Sequence, residues 1–209
     1  MRIDLLKTTP DRAGRYAVHF SDGTVMRLYR QTVEDFGLYS GKELSDDEMT
    51  ALQESAGQMS AKMRAVRIVS ASSVTKRDLE QRLVHKGEDP EQAKEAVQWM
   101  SDLNLLDDGH VAEQVVQRCI SRGYGLQRAK QALYEKKVPK QYWEAALADY
   151  PDQAEEILDF LRSRLGGTYD QREVKRAIDT LMRRGHSYAH IRKALNRLQL
   201  DQEDFPEEF

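Results

Sequence analysis

The 209-residue chain has one cysteine, Cys119, and no apolar run longer than a few residues. A lone thiol excludes an internal disulfide and any thiolate-rich zinc site. Stretches such as Ala145-Ala146-Leu147-Ala148 fall far short of the roughly 20 apolar residues that cross a bilayer, which excludes a spanning protein. Arg2, Asp4 and Lys7 stand where a signal peptide needs its apolar stretch, and no small-residue cleavage pattern follows, so a cytoplasmic location is expected. Catalytic signatures are missing too: no Gly-x-Ser-x-Gly elbow, Walker loop, dinucleotide fingerprint or paired acid cluster. His186 and His190 are one helical turn apart, but no third ligand accompanies them and arginines surround them. Neither an enzyme nor a metal or other cofactor is expected.

What is present suffices for a packed core, since 40% of the residues are apolar. The net charge of −3 conceals segregation. Residues 201–209 carry five acids and no base, an acidic tail. Between Arg118 and Lys140 there are seven bases against Glu135 alone, and between Arg162 and Arg197 ten against three acids, so the acidic balance of the whole misstates the partners.

The front of the chain reads as a small β-containing domain over residues 1–58. Residues 15–20 and 24–29 alternate around Ser21-Asp22-Gly23, the signature of a hairpin with Tyr16, Val18 and Phe20 on one face. Ser45-Asp46-Asp47-Glu48 then suits a helix start.

Beyond residue 58 the pattern is helical and repeats at offsets of 50 and 48. Leu83, Leu133 and Leu181 correspond, as do Ala93, Trp143 and Ile191; Ala96, Ala146 and Ala194; Val97, Leu147 and Leu195; Met100, Tyr150 and Leu198. Lys86, Lys136 and Arg184 recur at a helix end, followed by Gly87, Lys137 or Gly185. A further helix per unit is signalled by Ala112, Val115, Val116 and Cys119, echoed by Ala154, Ile157, Leu158 and Leu161 and earlier by Ala65, Val66 and Val69. Gly123 and Gly166-Gly167 mark helix ends. The expected fold is mainly α: an elongated array of three tandem three-helix repeats, over 59–106, 109–150 and 152–200, behind the front domain. Cys119, in an apolar column, is expected to be a buried inert thiol.

Arg118 and Arg122 are one turn apart, Arg128 and Lys130 follow a glycine-flanked turn, Lys136 and Lys137 close the next helix, and Arg172, Lys175, Arg176 and Arg183 share a later one. Spread over successive units, they favour an elongated anionic partner. Aromatics for stacking are few, Tyr124, Tyr169 and Tyr188, so no base-specific reading is implied.

Leu79-x3-Leu83-x2-Lys86-Gly87, then Leu103-Asn104-Leu105-Leu106-Asp107-Asp108, then Arg122-Gly123-Tyr124-Gly125, resemble the bacterial RecX regulators over roughly residues 59–200. The sequence departs from that pattern at Gly109-His110-Val111, at Ala71-Ser72-Ser73-Val74, and at Lys137, where glycine is typical. The resemblance implies a non-enzymatic, monomeric modulator of the RecA recombinase. Such a protein lies in the groove of the RecA–DNA filament and limits its growth, ATP hydrolysis, strand exchange and co-protease activity, and so acts on recombination, DNA repair and the SOS response. The implied partners are the RecA filament and single- or double-stranded DNA, bound without sequence preference. The contact pool is Arg118, Arg122, Arg128, Lys130, Lys136, Lys137, Arg172, Lys175, Arg176 and Arg183, with Gly123 and Gly125 shaping the turn. Two alternatives stay open: a generic helical-repeat nucleic-acid binder without a RecA partner, and a protein-interaction scaffold using residues 1–58.

Overall fold

The computed structural model describes residues 1–166 and 170–198. Gly167, Tyr169, the last two residues of the third expected repeat and the acidic tail lie outside them. The chain divides into two compact units, residues 1–106 and the remainder from Asp107.

The first unit begins with an antiparallel sheet in the order β1-β2-β3: β1 Ile3–Leu6, β2 Arg15–Phe20 and β3 Val25–Tyr29. The β2–β3 hairpin turns at Asp22-Gly23, where Gly23 adopts φ +86° and Asp22 accepts from the Thr24 backbone N–H. Val18 and Phe20 are buried, as period-two alternation predicts, and Val18 pairs with Met26. The third strand, β1, goes beyond the expected hairpin. Its alternation is hidden because the register shifts between Ile3 and Leu5, leaving Ile3 buried and Leu5 exposed. A short helix, α1 (Arg30–Asp35), follows.

Helix α2 (Asp46–Ala71) starts at a capping box in which the Ser45 hydroxyl accepts from Glu48 N–H and the Glu48 carboxylate accepts from Ser45 N–H. It runs unbroken through residue 58, where the sequence suggests a domain limit, and serves two cores. Leu52, with Met49 and Ala56, packs against Ile3, Val18, Phe20, Leu28, Leu38 and Leu44. Ala61 and Ala65 pack against Leu79, Leu83, Ala93, Ala96 and Met100 from α3 (Lys76–His85) and α4 (Pro90–Asp102).

The second unit contains α5 (Asp108–Ser121), α6 (Leu126–Glu135), a 3-10 turn (Lys140–Tyr142), α7 (Trp143–Leu147), α8 (Ala154–Leu165), α9 (Gln171–Arg183) and α10 (Tyr188–Arg197). Two cores form here: Val111, Ala112, Val115, Val116, Leu133 and Val138, and separately Ile157, Leu158, Leu161, Ile178, Leu181, Ile191 and Leu195. Each large apolar side chain so buried contributes about 1.5–3 kcal/mol.

The repeat is reproduced at the level of single hydrogen bonds. The carbonyls of Leu83, Leu133 and Leu181 accept from the N–H groups of Glu88, Val138 and His186 at 3.1, 3.0 and 3.1 Å. One residue on, Val84, Tyr134 and Met182 accept from Gly87, Lys137 and Gly185 at 2.9, 2.8 and 2.9 Å. This is one Schellman C-cap written three times, and it demands a left-handed residue at Gly87, Lys137 and Gly185, whose φ values are +90°, +57° and +86°. Two columns later, Asp89 and Ser187 cap α4 and α10 with their side chains, while Pro139 has no side-chain acceptor. The middle repeat accordingly enters its last helix through a 3-10 turn and keeps only five α-helical residues, with Trp143, Ala146, Leu147 and Tyr150 half-buried.

Candidate functional site

Helix α5 begins at Asp107, whose carboxylate accepts from His110 N–H at 2.9 Å, and its apolar stripe of Val111, Ala112, Val115, Val116 and Cys119 is buried. That registration turns Arg118 and Arg122 to solvent on the last turn. The Gly123 turn (φ +63°) then reverses the chain into α6, whose first turn carries Arg128. The charges of Arg128, Arg122 and Arg118 each favour the ionised form of the Cys119 thiol. Burial pushes that thiol above its usual pKa and outweighs the three cations, so Cys119 is a packed, protonated side chain.

The other expected contact residues are distributed. Arg128 pairs with Glu135 at 2.9 Å, an exposed bridge that holds the Glu135 carboxylate below its usual range. Lys130 is half-buried on α6, and Lys136 and Lys137 form its C-cap. On α9, Val174, Ala177, Ile178 and Leu181 face the core, leaving Arg172, Lys175, Arg176 and Arg183 exposed. Arg176 pairs with Glu173 at 2.6 Å, while Arg183 donates to the Asp179 carbonyl at 3.2 Å. Among the described residues neither Arg118 nor Arg122 makes an ion pair. Of the aromatics, Tyr124 is half-buried and engaged through its carbonyl, which accepts from Tyr150 Oη at 2.6 Å.

What joins α5–α6 to α9–α10 is a backbone junction that sequence reasoning missed. Gly125 N–H donates to the Arg184 carbonyl at 2.9 Å, and Gln127 N–H to the Gly185 carbonyl at 3.2 Å. The buried His186 ring meets the Gly123 carbonyl through Nε2 at 3.1 Å. Burial, reinforced by Arg184 and His190, depresses the His186 pKa, and the Gly123 contact opposes it. The two chains approach so closely that a Cβ on Gly125 would lie 2.1 Å from the Gly185 oxygen, and one on Gly185 would lie 2.3 Å from Arg128 N.

Gly123 lies in the turn with a left-handed backbone, φ +63°. Gly125 has φ −73°, open to any residue, and is required instead because a neighbouring backbone occupies the space of a side chain. The only forewarning in the sequence is that Gly185 shares a column with Gly87; nothing local announces its partner. The junction also separates the expected contacts. Arg184 sits at it, stacked 4.9 Å from the Phe160 ring, whereas Arg172 lies about 18 Å away along α9. The arginines of α5–α6 and the outer arginines of α9 are distinct groups.

Residues 107–147 match the family model described as RecX, second three-helix domain. The chain is 31% identical over 157 residues to the regulatory protein RecX of Halorhodospira halophila, covering 72% of this chain and 97% of that one. It is 22% identical over 203 residues to the RecX of Clostridioides difficile, covering 94% of each. A crystal structure titled regulatory protein RecX superposes with a TM-score of 0.65 over 93% of this chain and 98% of the other at 18% identity. RecX from Lactobacillus salivarius gives 0.59 over 69% of this chain and 98% of the other. Repeat signature, fold and relatives agree, and the chain belongs to the RecX family of regulatory proteins.

Proposed function

We propose that the protein binds the RecA–DNA filament and restrains its ATP hydrolysis, strand exchange and co-protease activity as a non-enzymatic, cytoplasmic, monomeric regulator. The observation that carries the reading is membership of the RecX family across nearly the whole length of a curated relative. The geometry supports it with a mechanism. Arg118 and Arg122 at the end of α5 and Arg128 at the start of α6, the last bridged to Glu135, supply cations to one part of the unit. Lys130, Lys136 and Lys137 extend this group along α6, and Arg172, Lys175 and Arg176 form a second group on the outer part of α9, with Arg183 at its junction end. Two groups on one compact unit suit an extended anionic partner, because each neutralised charge adds a salt-dependent increment.

The test is RecA ATP hydrolysis on single-stranded DNA, with the protein titrated into assembled filaments and DNA in excess. Inhibition well below the DNA-site concentration is expected. Inhibition only as the protein saturates the DNA would replace this reading with a sequence-independent nucleic-acid binder, and no inhibition at saturation would remove it.

A further inference from the structure

A second cationic site lies in the first unit, far along the chain from the residues discussed above. A cavity of about 500 Å³ is lined by Arg15, Arg64, Arg67, Arg82 and Lys86, with Tyr29 and Ser60 among its walls. Such a volume is that of a small-molecule site. Three elements build it. Arg15 and Tyr29 are directly paired across β2 and β3. Ser60, Arg64, Arg67, Ile68 and Ala71 follow helical spacing along one face of α2, and Arg82 and Lys86 are one turn apart at the end of α3.

The cations are held in place from behind. Glu88, 6% exposed, accepts from the Ser60 hydroxyl at 3.1 Å and pairs with Arg64 Nε at 2.5 Å. Asp78, 7% exposed, pairs with Arg82 Nη2 at 2.8 Å. Asp11 takes both Nε and Nη2 of Arg15, at 3.1 and 2.8 Å. Arg67 Nη2 donates to Tyr29 Oη at 2.5 Å while its Nε donates to the Met63 carbonyl. A guanidinium has five donors in a planar fork, so the one or two nitrogens engaged by these partners leave other donors for a ligand. None of the cavity-lining residues is acidic, and against the three anchoring carboxylates the five cations leave an excess of two positive charges.

We propose that this cavity is a binding site for a phosphate monoester. Its three terminal oxygens and charge near −2 suit the four guanidinium groups brought together from three elements and the local excess of two cations. A backbone phosphodiester, with one charge and two free oxygens, would meet half of that charge and two of the three oxygens. A free nucleotide and the 5′-phosphorylated end of a nucleic acid both supply the group.

The experiment uses the full chain. Calorimetric titration and thermal unfolding are followed with inorganic phosphate and deoxyadenosine 5′-monophosphate, and anisotropy compares a single-stranded oligonucleotide bearing a 5′-phosphate with the same oligonucleotide bearing a 5′-hydroxyl. Saturable phosphate binding with a raised melting temperature is expected, weakened at least tenfold by Arg67→Gln combined with Lys86→Gln and unchanged by the exposed Arg12→Gln. Both substituted side chains are exposed, so folding is retained and verified by circular dichroism. A preference for the 5′-phosphorylated oligonucleotide identifies nucleic-acid ends as the source, and tight mononucleotide binding without that preference identifies a free nucleotide. No heat and no thermal shift with either small probe, or equal affinity in the double variant, would overturn the proposal. The RecA titration on the double variant is independent of these outcomes.

Discussion

Replacing Gly125 with alanine tests the junction between the two halves of the second unit. The new Cβ would sit 2.1 Å from the Gly185 oxygen and 2.4 Å from His186 N, both backbone atoms that no rotamer change can move. The chains must separate, breaking the Gly125–Arg184 and Gln127–Gly185 hydrogen bonds, each worth about 0.5–1.5 kcal/mol. Overpacking adds about 1–3 kcal/mol, and alanine is poorer than glycine at the N-cap of α6 by a few tenths or more. The sum is about 2.5–6.5 kcal/mol, a large share of the roughly 5–15 kcal/mol that stabilises a domain. Gly123→Ala is the comparator: nothing lies within 4 Å of its Cβ position, so only the strain of φ +63° remains, about 1–2 kcal/mol. Urea unfolding in a Trp99→Phe background reports on the second unit alone, since Trp143 is then the sole tryptophan. Amide exchange at Gly125 and Gln127 should accelerate most. If the midpoints of Gly125→Ala and Gly123→Ala agree within about 0.5 kcal/mol, close backbone approach is not what requires Gly125.

Other consequences are as direct. Lys137→Gly should stabilise the second unit by about 1 kcal/mol, because it relieves the only non-glycine among the three repeated C-caps; an unchanged or lower urea midpoint would count against that cost. His186 has a depressed pKa when folded, so below its ordinary value of 6.5 the unfolded chain binds the extra proton. Stability should therefore fall as pH drops below about 6.5, and His186→Gln should lose that part of the slope; a parallel pH profile in the variant would refute the assignment. Arg118→Glu with Arg122→Glu should raise the protein concentration needed for RecA inhibition about tenfold or more at low salt while leaving the melting temperature within about 2 °C; undiminished inhibition would exclude the α5 end as a contact.

The helical part of the fold was legible because its determinants are local and repeated. The leucine column at Leu83, Leu133 and Leu181 is buried throughout, and the residue after the basic column is left-handed in all three copies. Lys137, a departure in composition, is no departure in conformation. The front sheet was half legible: the Asp22-Gly23 turn announces its hairpin, whereas β1 is masked by a register shift. The cationic groups could be named from charge density but not sorted, since their grouping depends on where Gly125 meets Gly185, 60 positions apart. The cavity of the first unit was invisible for a related reason. Arg15, Arg64, Arg67 and Arg82 belong to three separate elements and converge only when the sheet, α2 and α3 pack.

Helix α2 carries a consequence for how the molecule comes apart. Its first half completes the core of the sheet and its second half completes the core of α3 and α4, with no break between. A helix shared in this way couples the two cores thermodynamically, because loss of either removes the tertiary contacts that hold that half of the rod helical. Residues 1–106 should melt as one cooperative block. A cut after residue 58 would strand a frayed end on each fragment, while a cut at the Leu106–Asp107 boundary spares both cores.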